Sequence, residues 1–137
     1  MHITIDGFGG NLAKLSSLEL VRNLLDRYPD EIGMTKISEP HVFAYNGVKA
    51  EDWGVSGFVL IAESHIAVHT FPVHGQVWVD IFSCKGFDEM PAIDKIVEAF
   101  SLTSTRVHKL ERGLEYPHDV VQSIPLNRSE RREVTPV

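Results

Sequence analysis

The sequence predicts an α+β two-layer sandwich, a largely antiparallel sheet with two helices on one face. Three observations carry this. Strand-like blocks rich in valine, isoleucine and aromatics occupy much of the chain, two segments keep helical spacing, and the central strand blocks follow one another through short links. Short links between consecutive strands favour antiparallel pairing. At 137 residues the chain has room for one domain, expected over 1–115, with a polar tail over 116–137.

The elements follow in order. His2 to Phe8 alternates, Ile3 and Ile5 facing one way and Thr4 and Asp6 the other, before Gly7, Gly9 and Gly10 break the pattern. Ser16-Ser17-Leu18-Glu19 has the form of a capping box. Behind it Leu18, Val21, Leu24, Leu25 and Tyr28 fall on one helical face, and Pro29 is expected to stop the helix. The mixed stretch from Met34 to Tyr45 is expected to form a strand, closed by Asn46-Gly47. Gly57 to Ala62 is an uninterrupted apolar run, as in a buried strand. Ile66 to Phe71 and Gln76 to Ser83 read as two further strands joined by Pro72-Val73-His74-Gly75, short enough for a hairpin. A second helix is expected from about Met90 to Ser101: Asp88 and Glu89 suit its positive end and Pro91 its first turn. Thr105 to Leu110 reads as a last strand. From Tyr116 onward prolines and the basic residues Arg128, Arg131 and Arg132 suggest a loosely held tail.

Composition narrows the function. A net charge of -6 argues against nucleic acid or anionic membrane as partner. The single cysteine, Cys84, excludes an internal disulfide framework and suits a reducing compartment. The opening residues lack the order of a signal peptide, and no apolar run approaches the ~20 residues of a membrane helix. A cytoplasmic domain without membrane contact is expected.

Reactive side chains gather in Glu63-Ser64-His65, then His69 and Cys84, with Ser56 upstream in Gly54-Val55-Ser56-Gly57. A metal site built on His65, His69 and His74 is disfavoured. On a strand His65 and His69 share a face but stand ~13 Å apart, whereas zinc ligands each come within ~2.1 Å of the ion. No metal is expected. A serine hydrolase would place its nucleophile on a glycine-flanked elbow entering a helix. Ser64 lies between Glu63 and His65 and leads into a strand.

Taken together, Gly54-Val55-Ser56-Gly57, Glu63-Ser64-His65-Ile66-Ala67-Val68-His69-Thr70-Phe71-Pro72, Asp80-Ile81-Phe82-Ser83-Cys84 and Glu111-Arg112-Gly113 resemble the bacterial S-adenosylmethionine decarboxylases over roughly residues 2 to 113. The resemblance implies a chain that cuts itself between Glu63 and Ser64 into 1–63 and 64–137. Ser64 becomes a pyruvoyl cofactor, whose ketone takes the substrate amine as a Schiff base and drains electrons as carbon dioxide leaves. It further implies that His69 assists the elimination, that Ser56 orients the shifting carbonyl, and that Cys84 protonates the substrate carbanion. A thiol of ordinary pKa near ~8.5 stays mostly protonated at neutral pH. The product would feed polyamine synthesis, and a homo-oligomer of processed protomers is implied.

Two positions depart from that family. Ala50 stands where an adenine-stacking phenylalanine is usual, and Val73 where a ribose-binding glutamate is usual. Either Trp53, Phe43 or Tyr45 replaces the ring and the substrate is S-adenosylmethionine, or the substrate is a basic amino acid, arginine or ornithine. In the second case Glu51 and Asp52 would supply the negative charge that a guanidinium or ammonium wants. Glu51, Asp52, Trp53 and Val73 are thus the candidate substrate-binding residues. A non-catalytic α+β ligand-binding or assembly domain is the alternative of another class.

Overall fold

Alternation along the first segment produces β1 (His2–Phe8), with Ile3 and Ile5 fully buried. The computed structural model describes residues 1–113; the tail expected over 116–137 lies outside the described residues. A single helical turn, α1 (Leu12–Leu15), leads into α2 (Leu18–Glu31). Then come β2 (His41–Tyr45), a 3-10 turn at Ala50–Asp52, β3 (Gly54–Ile61), β4 (Ser64–Phe71), a second 3-10 turn at Pro72–His74, and β5 (Gln76–Ser83). The helix α3 (Glu89–Phe100) and β6 (Ser104–Leu110) close the described fold. Among the described residues six strands form one sheet in the order β2-β3-β4-β5-β1-β6, every neighbouring pair antiparallel. This is the expected two-layer sandwich.

One face of the sheet buries Ile3, Ile5, Val59, Ile66, Val68 and Ile81 in a cluster with Val21, Leu25 and Tyr28 of α2 and Ala92, Ile96 and Phe100 of α3. The Tyr28 hydroxyl donates to the Ala92 carbonyl at 2.6 Å, tying the two helices together over the core. Among the described residues no helix is long and apolar enough to cross a membrane.

The opposite face has no layer over it among the described residues. Phe43, Tyr45, Phe58, Leu60, Trp78 and Leu110 stand there 41–63% exposed. One row crosses the whole sheet on this face: Phe43, Ser56, His69, Trp78, Asp6 and Arg106 are successive cross-strand partners.

Several local expectations are corrected. The cap of α2 is Ser17, whose hydroxyl accepts the Leu20 amide at 3.0 Å. Ser16 instead donates to the Leu12 carbonyl at 2.7 Å and closes α1, so Glu19 sits in the first turn of α2 without closing a box. Pro29 lies inside α2 rather than ending it. Its missing N–H forfeits one bond, and the Ile32 amide on the Tyr28 carbonyl, 3.1 Å, completes the last turn. The strand expected over Met34 to Tyr45 is confined to His41–Tyr45, since Pro40 cannot donate to a ladder. Before it the chain runs beside the end of β3 as an irregular segment, where Lys36 faces Ile61, the Ile37 amide meets the Leu60 carbonyl at 3.0 Å and the Ser38 hydroxyl accepts the Leu60 amide at 3.1 Å. The run Gly57–Ala62 is not buried on both sides: β3 starts at Gly54, and Phe58 and Leu60 look out from the open face. Gly54 is required at that start, because a Cβ there would collide with the Thr70 carbonyl oxygen.

Candidate active site

The reactive residues fall into two groups at opposite ends of β4. The first surrounds the Glu63–Ser64 peptide. β3 and β4 are joined by the two-residue turn Ala62-Glu63, with Ile61 and Ser64 as the last cross-strand pair. Two-residue hairpins favour turns with positive φ at a central residue, and neither Ala62 nor Glu63 adopts it. The backbone departs instead at Ser64, with φ 155°, a region that residues with side chains rarely adopt. Such a conformation costs on the order of 1–3 kcal/mol and persists only where surrounding contacts enforce it.

Those contacts are present on both sides of Glu63. Its carbonyl accepts the Cys84 backbone amide at 2.9 Å. Its side-chain Oε2 accepts the Thr35 amide at 3.2 Å, while the Ala62 amide donates to the Thr35 carbonyl at 2.8 Å. Ser64 itself faces Ser83 in the β4–β5 ladder. The Glu63 carbonyl, Ser64 and Cys84 are therefore neighbours.

The second group is Ser56 and His69. They are direct cross-strand partners, with His69 Nδ1 2.9 Å from the Ser56 hydroxyl oxygen. The Thr70 hydroxyl accepts the Val55 amide at 2.9 Å and donates to the Val55 carbonyl at 3.3 Å, fixing the two strands beside them. A cavity of about 350 Å³ opens there, lined by Tyr45, Asp52, Gly54, Ser56, His69 and Phe71 among others. An adjoining, more apolar cavity of about 360 Å³ is lined by Leu12, Ala50, Trp53, Pro72 and Val73 among others. Both volumes lie within the ~300–1,000 Å³ usual for small-molecule sites.

The two groups do not meet within one chain. Ser64 and His69 are five residues apart on the same strand, which at ~3.3 Å per residue separates them by about 16 Å. A side chain that accepts a proton must come within about 3 Å of it.

The candidate substrate residues divide likewise. Asp52 is on the His69 cavity and Trp53 and Val73 on the adjoining one, while Glu51, exposed on the same 3-10 turn, lines neither. Ala50 and Val73, the two departures, share a single cavity with Trp53, whose indole N–H donates to the Gly47 carbonyl at 2.8 Å. Of the other rings considered, Tyr45 lines the His69 cavity and Phe43 lies beside Ser56 in the cross-sheet row. Neither Thr35 nor Ser83 is given a role by the sequence, although Ser83 belongs to the Asp80-Ile81-Phe82-Ser83-Cys84 motif. Thr35 gives no sequence signal, because it binds Glu63 through its backbone. Ser83 could have been found as a hydroxyl residue at a strand end, just before the bend at Cys84-Lys85.

Fold and site define a class: a small antiparallel-sheet domain with a Glu-Ser hairpin peptide held under tension beside a cysteine, and a Ser-His pair on its open face. A sequence model of the S-adenosylmethionine decarboxylase family matches residues 1–113. A protein from Picrophilus torridus named S-adenosylmethionine decarboxylase proenzyme is 32% identical over 121 residues, 88% of this chain and 88% of that one. A proenzyme of the same name from Archaeoglobus fulgidus is 32% identical over 113 residues, 82% of this chain and 96% of that one. Among solved structures, the crystal structure of the adenosylmethionine decarboxylase from Aquifex aeolicus superposes with a TM-score of 0.63 at 31% identity, covering 81% of this chain and 92% of that one. The chain belongs to the S-adenosylmethionine decarboxylase family. It is accordingly a decarboxylase, a carboxy-lyase, and the non-catalytic alternative is set aside. The relatives' names do not favour the arginine or ornithine alternative.

Proposed function

We propose that the chain cuts itself between Glu63 and Ser64 and, as a pair of copies joined through their open sheet faces, decarboxylates S-adenosylmethionine. The observation that carries the proposal is the Glu63 carbonyl, fixed on the Cys84 amide at 2.9 Å next to a serine with φ 155°. The Ser64 hydroxyl oxygen forms a bond to the Glu63 carbonyl carbon, and the carbonyl electron pair moves onto an oxygen that already faces an N–H donor. The carbon–nitrogen bond then breaks, the hydroxyl proton ends on the Ser64 nitrogen, and peptide has become ester. His69 takes the Ser64 α-proton, a double bond forms to the β-carbon, and Glu63 leaves as a carboxylate ending the 1–63 chain. Water replaces the nitrogen as ammonia, and the 64–137 chain begins with a pyruvoyl group.

The surrounding residues fit that group. Its precursor lies at a turn whose strain is released on cutting, and its neighbours are the buried Ser83 and the partly exposed Cys84. The pyruvoyl group supplies a ketone that captures a primary amine and an electron sink for the bond broken as carbon dioxide departs. Cys84 holds the proton that goes to the substrate carbon afterwards, which requires a free thiol and so a reducing, cytoplasmic setting. Asp52 and the nearby Glu51 offer negative charge to the cationic substrate, Ser56 holds the His69 ring through its Nδ1, and Trp53 and Val73 form apolar walls.

Pairing explains the separation along β4. A sheet face carrying six large exposed apolar residues resembles an interface more than a solvent surface. Two sheets packed face to face about a two-fold axis cover it, at up to about 1.5–3 kcal/mol per side chain removed from water. In such a pair, Ser56 and His69 of one copy reach Glu63 and Ser64 of the other. The test of substrate is a carbon dioxide release assay on processed protein with S-adenosylmethionine, arginine and ornithine side by side. Turnover of S-adenosylmethionine with neither amino acid used is the expected result. Turnover of arginine or ornithine instead would mean that Ala50 and Val73 have dismantled the nucleoside site.

A further inference from the structure

We propose that Ser83 is a positioning residue for self-cleavage, holding the Cys84 amide on the Glu63 carbonyl while the oxyanion forms; this rests on the self-cleavage reading above. The ladder between β4 and β5 pairs Ser64 with Ser83, so the next rung would join Glu63 to Cys84. But β5 ends at Ser83 and the chain turns away at once. The Cys84 N–H still makes that rung's bond, 2.9 Å from the Glu63 carbonyl oxygen, but with no rung beyond it the ladder alone holds this amide from one side only.

Ser83 supplies the missing restraint. The residue is fully buried, and a buried hydroxyl needs partners. It finds both across the turn: its oxygen accepts the Lys85 amide at 3.0 Å and its proton goes to the Lys85 carbonyl at 2.6 Å. The two bonds bracket Cys84 from either side. The backbone of Ser83 is itself pinned to Met1, whose carbonyl accepts the Ser83 amide at 2.9 Å and whose nitrogen donates to the Ser83 carbonyl at 2.6 Å. Lys85 Nζ anchors the far side of the turn on the Gly33 carbonyl at 3.2 Å. Cys84 thus hangs between two fixed residues with its amide toward β4.

The bracket matters at one step. As the Ser64 oxygen bonds to the Glu63 carbon, negative charge gathers on the Glu63 oxygen, and a pre-aimed N–H is worth far more there than to the ground-state carbonyl. Loss of a single donor of this kind costs about 10²–10³ in rate. Loosening one without deleting it should cost less, at least about tenfold. The elimination that follows spreads its charge over both oxygens of a carboxylate that is already a good leaving group, so the demand on the Cys84 amide, and with it the effect of Ser83, is greatest at the acyl shift.

The experiment compares full-length wild type, Ser83→Ala, Ser83→Thr and His69→Ala, freshly purified, by mass spectrometry over time with and without dilute neutral hydroxylamine, which cuts an ester at Ser64; any scission at Asn46-Gly47 gives fragments of different mass. Ser83→Ala is expected to melt cooperatively and to cut at least about tenfold more slowly than wild type, with hydroxylamine giving no rescue. Ser83→Thr, which keeps the hydroxyl, should return to within about threefold. His69→Ala is the contrast: blocked after the shift, it should accumulate ester and be cut by hydroxylamine. If Ser83→Ala does not melt cooperatively, Ser83→Cys, close in size with a poor donor, carries the same comparison against Ser83→Thr. Wild-type rates in the Ala or Cys variant, or slow cutting that hydroxylamine restores, would overturn the role of Ser83 and leave self-cleavage standing. Failure of the wild type to cut removes self-cleavage, and this role with it.

Discussion

Mixing two inactive variants separates a site built within one chain from a site shared by two. Ser64→Ala removes the bond to be cut, and His69→Ala removes the base from the other end of β4. Within a chain these positions are about 16 Å apart, against the roughly 3 Å that proton transfer allows. If the site is shared, a mixed pair holds one complete site, in which intact His69 of the Ser64→Ala chain serves intact Ser64 of the His69→Ala chain. Random pairing of equal amounts makes about half of the pairs mixed, so about half of the His69→Ala chains should be cut and none of the Ser64→Ala chains. The variants carry tags of different mass, are co-expressed, and are resolved by intact-mass analysis. Separately, His69→Ala should cut about 10²–10⁴-fold more slowly than wild type, the usual worth of a positioned base. Efficient cutting of His69→Ala alone would refute the role of His69. No cutting in the mixture, from a wild type that does cut, would refute the shared site.

Cys84→Ala should leave self-cleavage largely intact, because the backbone amide that faces Glu63 is retained, while carbon dioxide release falls about 10²–10⁴-fold; normal turnover would remove Cys84 from the chemistry. Tyr28→Phe forfeits the hydroxyl's bond to the Ala92 carbonyl and should cost about 1 kcal/mol in urea unfolding at pH 8. Burial, and secondarily Glu31, pushes the Tyr28 hydroxyl well above its ordinary range. The fold therefore favours the neutral phenol, so this stability is complete below about pH 10 and declines as pH rises toward the folded value. The gap between wild type and Tyr28→Phe should accordingly narrow between pH 10 and 11, and a gap that widens contradicts the assignment.

The layer arrangement was legible because each strand follows simple residue rules. Alternation placed β1, the apolar blocks placed β4 and β5 nearly to the residue, and α3 differs by one position at each end. Errors arose where tertiary contacts overrule local signals. Pro29 sits where one lost bond is cheap, Pro40 cut a strand that apolar content suggested, and the Gly9-Gly10 break hid the single turn of α1. At the site, Glu63, Ser64 and Cys84 were legible as a group through the resemblance, and their adjacency follows from the register of β4 and β5. The separation of Ser64 from His69 follows from the same strand arithmetic that sets His65 apart from His69. An open sheet face, by contrast, is a property of six strands at once, and no stretch of sequence announces that nothing among the described residues covers it.

The central claim, that this chain is a proenzyme that makes its own cofactor, is tested most directly by intact-mass analysis of purified wild type beside Ser64→Ala. The account predicts two wild-type species, residues 1–63 ending in a free carboxylate and residues 64–137 beginning with a group that resists amine labelling and is reduced by borohydride, with Ser64→Ala remaining a single chain. A wild type that stays at full-length mass through prolonged incubation, indistinguishable from Ser64→Ala in processing, would contradict it.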